Sequence, residues 1–200
     1  MPRIILPPLR DRIRPGVEVL FVGINPGVRS ALTGHHFAGF SNRFWKLLYQ
    51  SGLVPEPVTF TDDDRLPDWG FGITNIVPRA TPGIDALRPH EYAGGRTRLL
   101  AKVRRFKPRV VALVGVTVFR AMFPEHTGPV ATGRQAQTLG GAVVFVLPNT
   151  SGRNANFSYE EMLGAFRALK RFNARAERLR PAPRSRRSAG GARRLRSRAR

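Results

Sequence analysis

The chain contains no cysteine and no long uninterrupted hydrophobic run. The first absence excludes disulfides, thiolate metal sites and a cysteine nucleophile, and it fits a reducing compartment. The second means that no segment reaches the roughly 18 apolar residues expected of a membrane-spanning helix. Residues 1–8 are too short and too interrupted by proline to be a secretory signal. We therefore predict a soluble, cytoplasmic protein with no membrane partner.

Acidic residues are scarce as well. Aspartate and glutamate number 13 against 34 lysines and arginines, which gives a formal net charge of +21. Residues 174–200 hold eleven arginines and one acid, Glu177, so +11 of this charge belongs to residues 1–173. Nucleic acid is the natural partner of such a charge, because each neutralised phosphate releases counterions. For the tail alone, solvation of an arginine-rich segment explains the composition equally well.

The length and the changes in composition predict one domain with two flanking segments. Prolines interrupt residues 1–16, which are predicted to be an irregular lead-in. Residues 17–173 are predicted to form the globular domain. Residues 174–200 become an Arg/Ser/Ala/Gly sequence that cannot bury enough apolar surface to fold, and they are predicted to be disordered.

Apolar runs alternate with amphipathic segments along the predicted domain. The predicted strands are 17–22, 71–77, 109–115 and 142–147, and the predicted helices are 41–51, 90–106, 116–123 and one that begins with a Ser158–Glu161 capping box. Segments 27–39 and 54–68 are predicted to be loops, and a solvated loop is favoured over a metal cluster for Asp62–Asp64. This alternation predicts an α/β fold around a mostly parallel sheet.

Two asparagines follow predicted strands. Asn25 lies in the turn Gly23–Gly27 directly after the first strand, and Asn75 lies near the end of the second. Polar side chains in these positions lie at the carboxyl edge of the sheet, where open α/β folds bind ligands. The polar residue of the first turn is neither a carboxylate nor a histidine, so an active site here must work without a strong general base.

Six short segments then occur in a characteristic order. They are Gly23-Ile24-Asn25-Pro26-Gly27, His35-His36-Phe37, Asn42-Arg43-Phe44-Trp45-Lys46, Gly72-Ile73-Thr74-Asn75-Ile76-Val77, Gly94-Gly95-Arg96 and the loop from Leu147 to Phe157. Together they resemble the mismatch-specific uracil/thymine-DNA glycosylase family. The resemblance spans roughly 17–172. It implies a three-layer α/β/α sandwich that flips uracil out of duplex DNA and hydrolyses its N-glycosidic bond.

The resemblance also implies roles for residues around the first turn. Asn25 is expected to position the water, Phe37 to stack on the extruded base, and Ile24, His36 and Asn75 to contact that base. Each has an alternative explanation from the residues alone: Asn25 and Asn75 as caps of their turns, Phe37 as a core residue, and His36 as a solvated side chain. No metal or other cofactor is expected.

The loop after the last strand is expected to distort the DNA. Arg153 matches the position of the side chain that enters the vacated stack, Gly152 permits close approach, Asn154 reads the widowed guanine and Ser151 contacts a phosphate. Ser30 and Val28 depart from the thymine-directed branch, so uracil opposite guanine is the expected substrate. The expected partner is double-stranded DNA with a G·U lesion, with G·T and deaminated-purine lesions as further candidates, bound by a monomer in the cytoplasm, in association with the nucleoid.

Two other functions remain open. The Gly23–Gly27 turn could belong to a phosphate-binding protein, although it lacks the lysine and hydroxyl residue of a P-loop and the third glycine of a dinucleotide fingerprint. Alternatively, the basic charge could serve a non-catalytic nucleic-acid-binding module. Release of uracil by the chain without residues 174–200 would distinguish these functions from a glycosylase.

Overall fold

The computed structural model describes residues 6–178, which form a five-stranded sheet between helices. The strands are β1 (Val19–Gly23), β2 (Phe71–Asn75), β3 (Val110–Val114), β4 (Gly133–Leu139) and β5 (Ala142–Leu147), and the helices are α1 (Val28–Thr33), α2 (Phe44–Gln50), α3 (Pro89–Phe106), α4 (Val116–Met122) and α5 (Tyr159–Arg178). Short 3₁₀ helices span Phe60–Trp69 and Ile84–Ala86. No helix within the described range is long and apolar enough to cross a membrane.

The strand order is β2-β1-β3-β5-β4, and all neighbouring pairs are parallel except β4 with β5. Alternate side chains of the central strands enter two separate cores. One core includes α2 and α5, and the other includes α3 and α4. The predicted α/β sandwich with helices on both faces of a mostly parallel sheet is confirmed. Because β1, β2, β3 and β5 are parallel, their carboxyl ends lie at one edge of the sheet.

The central strands form because their sequences are continuously apolar. All five residues of β1 and of β3 are buried, as expected for parallel strands covered on both faces. β4 was not predicted, since its sequence is polar and alternates between exposed and half-buried residues at the edge of the sheet. Gly140 and Gly141 both have positive φ in the tight turn to β5, and this Gly-Gly pair is the sequence signal that indicates the hairpin.

Several predicted boundaries differ from the structure. The segment predicted as a loop at 27–39 contains α1, and the one at 54–68 contains most of the first 3₁₀ helix. The helix predicted at 41–51 begins only at Phe44. The side chain that accepts the Phe44 N–H is that of Asn42, and not that of Ser41. α5 continues to Arg178, past the predicted start of the tail. The prediction for the rest of the tail lies outside the described residues.

The prediction that Asp63 is a solvated loop residue is wrong, because its side chain is fully buried. Its Oδ1 accepts from Arg12 Nε at 3.0 Å and contacts His35 Nδ1 at 3.0 Å, while its Oδ2 accepts the His36 N–H at 2.9 Å. Arg12 also forms an antiparallel bridge with Ile73 of β2. The carboxylate therefore holds the lead-in and the segment after α1 against the sheet. Sequence patterning could not separate it from its exposed neighbour Asp64.

Gly95 packs α3 against the end of β2. A Cβ at this position would overlap Ile76 Cγ2 and lie 2.7 Å from the Ile76 carbonyl oxygen. We expect Gly95→Ala to lower the free energy of unfolding by about 1–3 kcal/mol, because backbone must move to admit the methyl group. Gly94→Ala is the matched control, since its Cβ would meet only Arg98 Nη1, at 3.1 Å, on a flexible side chain.

Chemical denaturation of the two alanine variants measures this difference. Gly94→Ala should be as stable as the parent or more so, because alanine favours a helix by about 1 kcal/mol over glycine. Equal stability of the two variants would contradict the close packing described for Gly95.

Candidate active site at the carboxyl edge of the sheet

A cleft of about 610 Å³ lies at the carboxyl edge of the sheet. The chain after β1 contributes Asn25 to its wall, β2 contributes its last residue Asn75, and the chain after β3 and β5 contributes Gly115 and Asn149. The cleft is therefore built from the ends of all four parallel strands. This arrangement confirms the expectation that the two asparagines selected from the sequence lie at one edge of the sheet.

Asn25 has a fixed amide orientation. Its Nδ2 donates to the carbonyl oxygens of Pro26 at 3.1 Å and Arg79 at 3.2 Å, and to Thr81 Oγ1 at 2.7 Å. Backbone carbonyls only accept hydrogen bonds, so the nitrogen must face them and Oδ1 must face away. This Oδ1 has no hydrogen-bond partner within residues 6–178. Asn25 thus both braces its turn and presents a free acceptor on a residue of the cleft wall.

Phe37 also forms part of the cleft wall. Its ring stacks on Phe44, with centroids 4.3 Å apart and an interplanar angle of 18°, while the residue also lines the cleft. Its φ of 51° lies in the left-handed region, which an aromatic residue adopts at a cost of about 1–2 kcal/mol. Strain of this kind is concentrated at functional sites. The ring is half-buried, so core packing explains only part of its environment.

His36 lies behind the cleft wall rather than on it. It is buried to 1% exposure, its Nε2 lies 2.9 Å from the Arg10 carbonyl oxygen and its Nδ1 lies 3.3 Å from Asn75 Nδ2. The Arg10 carbonyl can only accept, so Nε2 carries the proton and Nδ1 accepts from the Asn75 amide. His36 therefore orients Asn75. Direct contact between His36 and a base stays a prediction. It is not favoured, because His36 is buried and does not line the cleft.

Burial lowers the pKa of His36 below its ordinary value. The hydrogen bond to the Arg10 carbonyl and the charge of Asp63 act in the opposite direction but are smaller. The imidazole is therefore neutral near pH 7, as its acceptor role toward Asn75 requires.

Ile24 also lines the cleft. Its carbonyl accepts the Val77 N–H at 2.8 Å, which ties the first turn to the chain after β2. Its own N–H has no partner among the described residues, so a backbone donor is available there.

The loop from Pro148 to Phe157 closes the cleft on the side of β5. Ser151 and Arg153 line the cleft, whereas Gly152 and Asn154 do not. Asn154 Nδ2 donates to the Asn149 carbonyl at 2.7 Å, so it supports the loop from within. Arg153 is exposed, and its guanidinium makes no hydrogen bond or ion pair with any described residue.

Gly152 fits the loop against the turn before α2. A Cβ there would overlap the Ser41 side chain and lie 2.7 Å from the Ser41 carbonyl oxygen. Thr150 adds two hydrogen bonds, because its carbonyl accepts the Arg43 N–H at 2.9 Å and its Oγ1 donates to Asn42 Oδ1 at 2.9 Å. The loop and the turn at 39–42 are therefore one rigid unit.

The described cleft wall contains no aspartate, glutamate, histidine or lysine. Its charged members are Arg29 and Arg153. The site can therefore bind anionic groups, donate and accept hydrogen bonds and hold a water, but its walls provide neither a carboxylate base nor an amine nucleophile.

The wall residues that the sequence-based prediction did not assign to the site include Arg29, Phe40, Thr81 and Asn149. Asn149 follows β5 as Asn25 follows β1, so the same sheet-edge rule indicates it. Thr81 has no signal in the sequence, because its hydrogen bond to Asn25 joins residues 56 positions apart.

A family model for the uracil DNA glycosylase superfamily matches residues 11–174. The chain belongs to this superfamily. The match begins before the predicted domain start at residue 17 and includes Arg12, which pairs with β2. The assignment agrees with the position of the cleft and with the order of the six segments in the sequence.

The fold is also similar to a solution NMR structure from Methanosarcina acetivorans described as "a putative Uracil DNA glycosylase". The TM-score is 0.53 and the identity is 16%, with 84% of this chain and 99% of that chain covered. At this identity the likeness supports the superfamily's fold and nothing finer.

Proposed function

We propose that this member of the superfamily is a monofunctional, mismatch-specific uracil-DNA glycosylase that initiates base excision repair at G·U pairs. The observation that supports the proposal most directly is the geometry of Asn25. Its amide nitrogen is held by three acceptors and its free Oδ1 belongs to a cleft wall that has no carboxylate. Such a group orients a water without deprotonating it.

Hydrolysis of the N-glycosidic bond requires few further groups from the protein if the departing base stabilises negative charge well. As the bond between C1′ and the base nitrogen breaks, positive charge develops on the sugar and negative charge on the base. Hydrogen-bond donors placed around the base stabilise that negative charge, and the DNA phosphates stabilise the sugar cation. The oxygen of the Asn25-bound water then forms the new bond to C1′, and its proton is released to solvent or to the departing uracil.

The remaining wall residues have roles consistent with this reaction. Phe37 provides a ring for the extruded base to stack on, and the Ile24 N–H is an available donor for a base carbonyl. Asn75, oriented by His36, presents its amide to the base edge or to the water. Arg153 on its rigid loop replaces the extruded base in the stack. No metal or cofactor takes part in the proposed reaction, and we propose that a monomer acts in the cytoplasm.

Release of free uracil from a G·U duplex tests the proposal. The non-catalytic binding module is the second candidate, supported by the charge of +21. A chain ending at Arg178, which preserves α5, should release uracil at a rate close to that of the full chain. Tight binding that depends on residues 179–200 together with no release would favour the binding module instead. Duplexes with thymine, hypoxanthine or xanthine in place of uracil would define the base range.

The pH dependence of release should be flat across neutral pH, because no histidine, carboxylate or lysine lines the described cleft. The rate should fall only at more acidic pH, as His36 Nδ1 gains a proton and loses the Asn75 hydrogen bond. Single-turnover rates across this range provide the measurement. An acidic limb with a midpoint at or above about 6.5 would contradict a neutral, positioning His36.

The same histidine makes stability pH-dependent. The pKa of His36 is lower in the folded state than in the unfolded state, where it is about 6.5, so the unfolded chain takes up the proton first. The contribution of neutral His36 is complete above about pH 6.5 and is lost progressively as the pH falls toward the folded pKa.

A further inference from the structure

Phe40 is the most exposed large hydrophobic residue in the part of the chain that the structure describes, at 92%. Burying a phenylalanine stabilises a protein by about 1.5–3 kcal/mol, so this ring contributes almost none of that to the fold. It lines the cleft, as do two further exposed hydrophobic residues, Val28 and Ile84. Grouped exposed apolar side chains mark binding surfaces more often than single ones.

One face of the Phe40 ring is covered by a cation. The Arg29 guanidinium carbon lies 3.3 Å from the ring centroid, and 5.5 Å from the centroid of Phe60. Arg29 Nε is buried and has no hydrogen-bond partner within residues 6–178. The guanidinium is thus held by aromatic faces rather than by a carboxylate. It retains its positive charge for an anionic ligand, and it leaves the other face of Phe40 open.

The backbone that carries Phe40 has a fixed position relative to the loop from Pro148 to Phe157. Phe40 belongs to the turn at 39–42, which is closed by the Asn42 N–H bond to the Gly39 carbonyl at 2.9 Å and is locked to the loop of Arg153 by Thr150 and Gly152. Phe40 and Arg153 therefore project from one rigid unit, on the rim of one cleft. A ligand that occupies this cleft can therefore contact both residues.

We propose that Phe40 is a second stacking residue, which receives a nucleobase that flanks the extruded nucleotide. This inference rests on the proposed function. Extrusion removes a stacking partner from each flanking base, and an aromatic ring replaces it with little dependence on sequence. Arg29 supports the contact, because its guanidinium covers one face of the ring and its positive charge attracts the phosphates of a bound DNA strand. DNA is favoured over a protein partner because the cleft wall around Phe40 has two arginines and no acid.

Binding of the full chain to a duplex with a stable abasic analogue opposite guanine tests the role of Phe40. We expect Phe40→Ala to raise the dissociation constant about tenfold, since stacking is worth roughly 1–3 kcal/mol per base. Phe40→Trp should restore parental affinity. Leu32→Ala is the matched control, because Leu32 is 68% exposed on neighbouring α1 but does not line the cleft. It should bind as the parent does.

The salt dependence separates stacking from phosphate contact. Phe40→Ala should leave the slope of log affinity against log salt unchanged, because no charge is removed. With 2-aminopurine on either side of the abasic analogue in turn, the parent should quench fluorescence at one position and Phe40→Ala should restore it. Affinity within about twofold of the parent for Phe40→Ala, an equal loss for Leu32→Ala, or no fluorescence difference at either position would overturn the inference.

The two proposals fail in different ways. If the parent releases uracil from G·U while Phe40→Ala binds like the parent, only the role of Phe40 is refuted, and its exposed ring serves another partner. If the parent binds the abasic duplex through Phe40 but releases no uracil, the glycosylase function is refuted and the stacking surface stands.

Discussion

Replacing Asn25 with alanine is expected to slow uracil release from a G·U duplex by about 100-fold or more, which corresponds to roughly 2.7 kcal/mol of activation free energy. The reason is that Oδ1 is the free acceptor that Asn25 brings to the cleft wall, and the described wall has no carboxylate to replace it. Single-turnover measurements with excess protein isolate the chemical step. Binding to a duplex with a stable abasic analogue should change little.

The same substitution also separates catalysis from turn capping. Loss of the hydrogen bonds to Arg79 and Thr81 would lower stability, whereas loss of the positioned water lowers only the rate. Thr81→Val and Thr81→Ser form a matched pair. The valine removes one of the three acceptors that hold the Asn25 amide and should slow release about tenfold, while the serine keeps the hydroxyl and should resemble the parent. An Asn25→Ala protein with parental rate and reduced stability would show that Asn25 is only a structural cap.

Replacing Arg153 with alanine is expected to slow release from duplex DNA by about 10- to 100-fold, with much less effect on single-stranded DNA. Extruding a paired base costs a few kcal/mol, and a side chain that enters the vacated stack offsets part of that cost. Arg153 is placed to do this, since it is exposed, unpaired among the described residues and mounted on a loop that is locked to the turn at 39–42.

The comparison between substrates is the informative measurement. Arg167→Ala is the control for loss of one positive charge, because Arg167 is exposed on α5 and does not line the cleft. It should leave the ratio of duplex to single-strand rates unchanged. An Arg153→Ala protein that is slowed equally on both substrates would contradict an extrusion role and would indicate phosphate binding or contact with the reacting base.

The sequence was sufficient to locate the edge of the sheet that carries the candidate site. The apolar runs of β1 and β3 predict buried parallel strands, and parallel strands bring their carboxyl ends together whatever the loop lengths. That rule places Asn25 and Asn75 at one edge of the sheet, and both line the cleft there. The same rule also indicates Asn149, which follows β5 and lines the cleft.

The surroundings of these residues could not be predicted in the same way. His36 is buried because Arg10 and Asp63, both more than 25 positions away, close around it. A histidine in a glycine-rich segment gives no local sign of such partners. The burial of Asp63 could not be predicted for the same reason. Three consecutive acidic residues predict a solvated loop, and the ion pair of Asp63 with Arg12 joins residues that are far apart in the sequence.

The most direct test of a hydrolytic active site at this cleft is the product of a single turnover on a G·U duplex, run with borohydride present. We predict one equivalent of free uracil and an alkali-labile abasic site, with no covalent protein–DNA adduct, because the described cleft wall has no lysine to form one. Binding of the duplex without release of uracil, or a trapped adduct, would contradict a water positioned by Asn25.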